Sequence, residues 1–304
     1  MTIEDALSID AVLTAFDEYL RRVRGISPAA RRNYERYARS FLSARFDGRP
    51  VDFSRVTVSD VVSFVTDATS RYRPPTVQLL TSVLRCLLRF ARSEGLLAGR
   101  LDEAVPAVRR PPSLPRRLGS VEFADLVASL GSSSPQERRD RAMILLGARL
   151  GMRAGEIARL CLDDIDWRSG TITVQTRKTG HGAQLPLVFE VGEAIAGYLE
   201  HGRPRSEVRQ VFVVHRQHPG APIDRQTVGD AVRRALRNAG IDAPAHGANL
   251  LRHSLATDLL RHGTSLKEIA DLFGHRSLGS TQIYAKVDVA ALREAALPWP
   301  AALR

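Results

Sequence analysis

Leu250-Leu251-Arg252-His253 and Gly274-His275-Arg276-Ser277-Leu278-Gly279-Ser280-Thr281-Gln282-Ile283-Tyr284 are the two stretches on which the reading of this chain turns. The first puts an arginine at the start of an amphipathic helix, with Leu250, Leu251, Leu255, Leu259 and Leu260 on its apolar side. The second sets a histidine nine residues before a tyrosine. Upstream, Gly151-Met152-Arg153-Ala154-Gly155-Glu156 supplies a second arginine, with a glutamate one helical turn later. Two arginines, a histidine and a late tyrosine suit metal-free cleavage of a phosphodiester. Guanidinium groups are always charged and hold non-bridging oxygens as bidentate donors. A phenolic oxygen can attack phosphorus and conserve the energy of the broken bond in a phosphotyrosine.

In order and spacing, Arg153, Arg252, His275 and Tyr284 with their flanks resemble the tyrosine recombinases, or phage-type integrases. The resemblance covers most of residues 10 to 295 and is strongest from Arg252 to Tyr284. It implies that Arg153 and Arg252 clamp the phosphate and that Glu156 positions Arg153. It further implies that His275 donates to a non-bridging or tyrosine oxygen, and that Tyr284 is the nucleophile. It also implies a lysine that protonates the leaving 5′ oxygen. Counting back from Pro186-Leu187 selects Lys178, with Arg177 the neighbour to be distinguished from it. His253 lies about 100° round the helix from Arg252, so it supports the site from behind or simply packs.

One position departs from the family pattern. A histidine usually stands three residues before the second arginine, and here that residue is Asn249. An amide can hydrogen-bond a phosphate but cannot accept the tyrosine proton. It also suits a helix N-cap. Three accounts stay open: a tolerated natural variant, a weakened recombinase, and a substitution made to slow the reaction. His246 is a substitute base to consider.

The formal charge of +11 over 304 residues suits a polyanionic partner, because each neutralised phosphate releases counterions. With 44% hydrophobic residues the chain can bury ample cores. The two cysteines, Cys86 and Cys161, sit in apolar contexts that read as helical, and are expected to be buried thiols of a reducing compartment. No signal peptide or membrane span is read from the sequence, and a cytoplasmic location is expected. Asp163, Asp164 and Asp166 form the one tight carboxylate cluster, and fit a strand-leading turn better than a two-metal site. Neither a metal nor a nucleotide cofactor is expected.

The expected fold is mainly α with a small β-sheet. Residues 1–104 read as an N-terminal helical bundle that binds core DNA, residues 105–118 as a basic, proline-rich linker, and residues 119–304 as a mixed α/β catalytic domain ending in a docking tail. Four helices are expected between residues 9 and 95. Ser27-Pro28 caps the second, Thr57-Val58-Ser59-Asp60 the third, and Pro74-Pro75 opens the fourth. Arg31 and Arg32 on the second helix, Arg109 and Arg110 in the linker, and Arg177 are candidate DNA contacts. In the second domain, helices are expected at 121–130, 136–150, 190–200, 225–239, 249–262 and 266–273, the last opened by the capping box Ser265-x-x-Glu268. Thr171-Ile172-Thr173-Val174 and Gln184-Leu185-Pro186-Leu187 read as paired strands with Lys178 at the tip between them.

The resemblance implies double-stranded DNA as partner and a homo-oligomer on it, a tetrameric synapse formed alone or with related recombinases. The tail from Val289 to Leu297 suits docking on a neighbour. Two rivals are a type IB topoisomerase, which acts as a monomer, and a non-catalytic DNA-binding subunit, to which Asn249 lends weight.

Overall fold

Helix starts along this chain are fixed by residues within one turn of each boundary. The computed structural model describes residues 7–108, 117–175, 183–243 and 247–274. Within these, the chain forms two compact units, Met1–Pro112 and Ser113–Arg304.

The first unit holds four helices: α1 (Ile9–Arg22), α2 (Pro28–Phe46), α3 (Val58–Arg71) and α4 (Pro74–Ser93). Ser8 caps α1 through its hydroxyl. Thr57 and Asp60 cap α3 reciprocally, satisfying two amides the helix itself cannot pair. Prolines open α2 and α4, where their missing N–H costs nothing. The apolar faces close on Phe16, Leu20, Phe41, Leu42, Leu84, Leu87 and Phe90, all essentially inaccessible. Burying each such side chain contributes about 1.5–3 kcal/mol. Phe16 and Phe90 meet at 5.4 Å and Phe41 and Phe64 at 5.1 Å, both within the favourable range for tilted ring pairs. Asp102, buried on a short helical turn after α4, is paired with Arg89 at 2.8 Å and Arg92 at 3.2 Å, which holds its carboxyl below the ordinary range. Several arginines of α2 are engaged inside the unit: Arg31 pairs with Asp17 and Arg39 with Asp10, while Arg36 stacks on Tyr37. Arg32 is exposed.

In the second unit, α5 (Ser120–Ala128) leads to α6 (Pro135–Leu150). From Ala142 to Ala148 every residue of α6 is buried, so α6 is surrounded rather than amphipathic. It packs against α8 (Phe189–His201), α9 (Arg225–Asn238) and α10 (Ala248–Arg261). The buried Asp140 of α6 lies between Arg139 at 3.0 Å and Arg234 of α9 at 2.6 Å. Gly151 ends α6 in the left-handed region at φ +63°, and the short helix α7 (Ala154–Ile157) follows at once. The short strands β1 (Ile165–Asp166), β2 (Thr171–Val174) and β3 (Ala183–Pro186) form an antiparallel sheet in sequence order, with Thr171 opposite Pro186 and Val174 opposite Ala183. The last described helix is α11 (Leu266–Leu272), opened by the reciprocal Ser265–Glu268 cap.

Three expectations need correction. Cys86 is buried in α4, but Cys161 is only half-buried and lies outside any α-helix, bridging Gln210 in extended backbone. Arg252 does not open α10: the helix starts at Ala248, and Arg252 is its fifth residue. Nor is Asn249 an N-cap. Gly247 takes that place at φ −152°, leaving Asn249 exposed as the second helical residue. The Asp163–Asp166 segment is spent on local structure, as expected of a strand-leading turn. Asp163 pairs with Arg209, Asp164 accepts from the Cys161 amide, and Asp166 accepts from the amides of Arg168 and Ser169. No described helix is long and apolar enough to cross a membrane.

Candidate active site

The end of α6 is where the site begins. Arg153 takes extended backbone just before α7, and Glu156 folds back on it. The Glu156 carboxylate accepts from the Arg153 backbone N–H at 2.8 Å and from its guanidinium at 2.7 Å. Glu156 is nearly buried, while the Arg153 side chain is 42% exposed. An arginine held on one edge by a buried carboxylate and open to solvent is oriented for an incoming anion. The expected Arg153–Glu156 partnership is therefore present.

Arg252 reaches the same place from α10. Its side chain is buried at 6% exposure. One terminal nitrogen donates to the Gly151 carbonyl at 2.5 Å, the other to the Phe273 carbonyl at 2.7 Å. The guanidinium carbon lies 4.0 Å from the centre of the Phe273 ring. The guanidinium does not join the α10 N-terminal amides: it turns toward the C-terminal ends of α6 and α11, because it sits one turn inside its own helix. Helix C-termini present unpaired carbonyls, which suit a cation.

These residues line one shallow cleft. Arg153, Glu156 and Arg252 share it with Gly151, Phe273, Gly274, Val174 and Ala183. Val174 ends β2 and Ala183 starts β3, the strands on either side of the Lys178 segment in sequence. Gly274, at φ +56°, directly precedes His275 in the chain. Lys178, Arg177, His246, His275, Tyr284, the Val289–Leu297 tail, and Arg109 and Arg110 lie outside the described residues.

His253 is half-buried, one residue beyond Arg252. Burial, and secondarily the Arg252 charge, hold its imidazole below the ordinary value and favour the neutral form. Ser254 ties α10 to Leu118, and Thr257 bonds within the helix. The Ser254 hydroxyl accepts from the Leu118 amide at 2.9 Å and donates to the Leu250 carbonyl, and the Thr257 hydroxyl donates to the His253 carbonyl. The residues the sequence reading missed are Gly151 and Phe273. The signal available for Gly151 was its position just past an apolar helix; for Phe273 there was none beyond its being apolar.

Two family models match the chain: the phage integrase family over residues 116–290 and the N-terminal SAM-like domain of phage integrases over residues 13–95. A Sinorhizobium fredii protein named as an integrase/recombinase, y4rA, is 40% identical over 296 residues, spanning 96% of this chain and 72% of the relative. Tyrosine recombinase XerA of Thermococcus kodakarensis is 31% identical over 286 residues, 93% of each chain. Among solved structures, XerH recombinase in a post-cleavage complex with its difH substrate matches with a TM-score of 0.74 at 20% identity, covering 95% of this chain and 84% of that one. The Tn1549 transposon integrase in complex with a circular intermediate DNA matches with a TM-score of 0.68 at 17% identity, covering 94% and 99%. The two-part helical fold with its small sheet is thus that of the tyrosine recombinases. The chain belongs to the phage integrase family, and it is a tyrosine-type site-specific DNA recombinase.

Proposed function

We propose that this chain cuts and rejoins double-stranded DNA through a covalent bond between Tyr284 and a 3′ phosphate, with Arg153, Lys178, Asn249, Arg252 and His275 around the reacting phosphorus. The observation that carries this reading is the meeting of Arg153 and Arg252 in one cleft. They come from elements about a hundred residues apart in sequence, and the cleft is also lined by the residues next to the Lys178 and His275 segments.

In the first step the Tyr284 oxygen attacks phosphorus, and the bond from phosphorus to the 5′ oxygen breaks. The tyrosine proton leaves to a nearby acceptor. The departing 5′ oxygen takes a proton from Lys178. Arg153 and Arg252 neutralise the charge that builds on the non-bridging oxygens, with His275 as a further donor. The product is a 3′-phosphotyrosine and a free 5′ hydroxyl. In the second step a 5′ hydroxyl from a partner duplex attacks the phosphotyrosine, rejoining DNA and freeing Tyr284. The bond count is conserved, so no external energy source is needed. Two such rounds through a four-way junction exchange both strands, which calls for four active sites and hence a tetramer of this chain or of this chain with related recombinases. Excision or integration of a mobile element fits such chemistry, and the cytoplasm is the compartment where DNA is reached. Arg31 and Arg32 of the N-terminal unit, Arg109 and Arg110 of the linker, and Arg177 of the catalytic domain would be among the phosphate contacts on the duplex.

The test uses a nicked duplex carrying the site footprinted beside the protein's own gene. The nick lets the short 5′ fragment diffuse away and traps the adduct. Wild-type protein forms an adduct and Tyr284→Phe forms none. Arg153→Ala and Arg252→Ala lower the cleavage rate far more than duplex affinity, since many other cations share the binding. An adduct that persists in Tyr284→Phe refutes the nucleophile. Equal losses in cleavage and binding would reduce both arginines to ordinary phosphate contacts.

A further inference from the structure

A clamp arginine is useful only if its plane is fixed before the phosphate arrives. A guanidinium on a long side chain loses considerable rotamer freedom when it is ordered, and that cost falls on the reaction unless the fold has already met it. Arg153 has Glu156 for this purpose. Arg252 is held by two backbone carbonyls and one aromatic ring.

Phe273 supplies two of those three contacts. Its carbonyl accepts from one terminal nitrogen of Arg252 and its ring lies under the guanidinium plane. Phe273 is itself held tightly. It is 3% exposed, packs in a small cluster with Ala256 and Ile269, and its amide is bonded to the Ile269 carbonyl. Its ring edge presses on Gly151, where a Cβ would come within 3.0 Å of Cζ and 3.1 Å of Cδ1. The absence of a side chain at Gly151 is what lets the ring reach that depth. Gly151 then returns its own carbonyl to the other terminal nitrogen of Arg252. Carbonyl, ring and carbonyl each constrain the orientation of the guanidinium.

We propose that Phe273 is a positioning residue for phosphate clamping: its ring and carbonyl, seated against Gly151, lock the Arg252 guanidinium in the orientation in which it meets the scissile phosphate. The inference rests on the reaction assigned above. It places in an apolar residue the role that Glu156 plays for Arg153.

Phe273→Leu keeps an apolar side chain of similar bulk but removes the aromatic face. Cation–aromatic contacts are worth up to ~2 kcal/mol when desolvated, so single-turnover cleavage at saturating protein should fall roughly 5- to 30-fold. Duplex affinity should stay within about twofold, because Arg252 is one of many cations on the DNA. The decisive comparison is with Arg252→Lys, which keeps the charge but loses the planar fork. In that background the added Phe273→Leu change should cost less than about twofold, since there is no plane left to orient. Equal fold-losses in both backgrounds, or cleavage by Phe273→Leu at the wild-type rate, overturn the proposal. If Phe273→Leu fails to fold, Phe273→Met serves instead, an unbranched side chain that fills irregular space. Failure of the reaction itself shows separately. If wild-type protein gives no Tyr284-dependent adduct, the recombinase chemistry and this inference fall together. If the adduct forms and the two backgrounds behave alike, only the role of Phe273 falls.

Discussion

Gly151→Ala should destabilise the second unit by about 2–5 kcal/mol. Two independent costs make up that figure. Gly151 sits at φ +63°, where an L side chain costs roughly 1–2 kcal/mol. Its new methyl would also enter the edge of the Phe273 ring, and forced overpacking of this kind costs typically 1–3 kcal/mol. The chain carries its own control. Gly240 has nearly the same backbone, at φ +68°, but a Cβ there meets nothing within 4 Å. Gly240→Ala should therefore show the conformational cost alone. The assay is urea unfolding followed by tryptophan fluorescence. The first unit holds no tryptophan and Trp167 lies in the second, so the signal reports on the second. The difference between the two variants isolates the contact with Phe273. If they lose equal stability, the ring yields freely to a methyl group, and the claim that Gly151 seats it is wrong. Cleavage gives an independent reading: Gly151→Ala should slow adduct formation even at temperatures where it is fully folded, and Gly240→Ala should not.

Two other predictions concern protons. Asn249 is exposed on α10, three residues before Arg252, and lacks a titratable group. Asn249→His should speed adduct formation by a factor no larger than about 10²–10⁴, with little change in duplex affinity; no gain, or a slower rate, would mean that this position does not receive the tyrosine proton and would direct attention to His246. Burial holds the imidazoles of His215 and His253 below the ordinary value, with Arg139 and Arg252 respectively adding to the effect. The native state then binds fewer protons than the unfolded chain between the depressed pKa and about 6.5. The stability they contribute is full above that window and is lost as the pH falls through it. The urea midpoint of the second unit should accordingly drop between pH 7.5 and 5.5, and His215→Gln with His253→Gln should flatten the drop; a pH-independent wild-type midpoint would refute the linkage.

The sequence by itself determined the helices, the hairpin and the pairing of Arg153 with Glu156. These depend on residues within one turn or one strand of each other. Thr57 and Asp60 cap α3, Ser265 and Glu268 cap α11, prolines open α2 and α4, and the β-branched run Thr171–Val174 forms β2. The order of Arg153, Arg252, His275 and Tyr284 was legible as a pattern and pointed to the family. Only the tertiary structure decided what Arg252 touches. Its carbonyl partners lie 101 and 21 residues away, brought together because α6, α10 and α11 converge at one corner of the core. The same holds for Asp140, which meets Arg234 across 94 residues, and for Cys161, whose backbone pairs with that of Gln210. Local hydrogen bonding is encoded in neighbouring side chains, because a cap or a turn is satisfied within a few residues. Burial and the direction of a guanidinium are set by whichever elements pack against it, and no short window of sequence contains them.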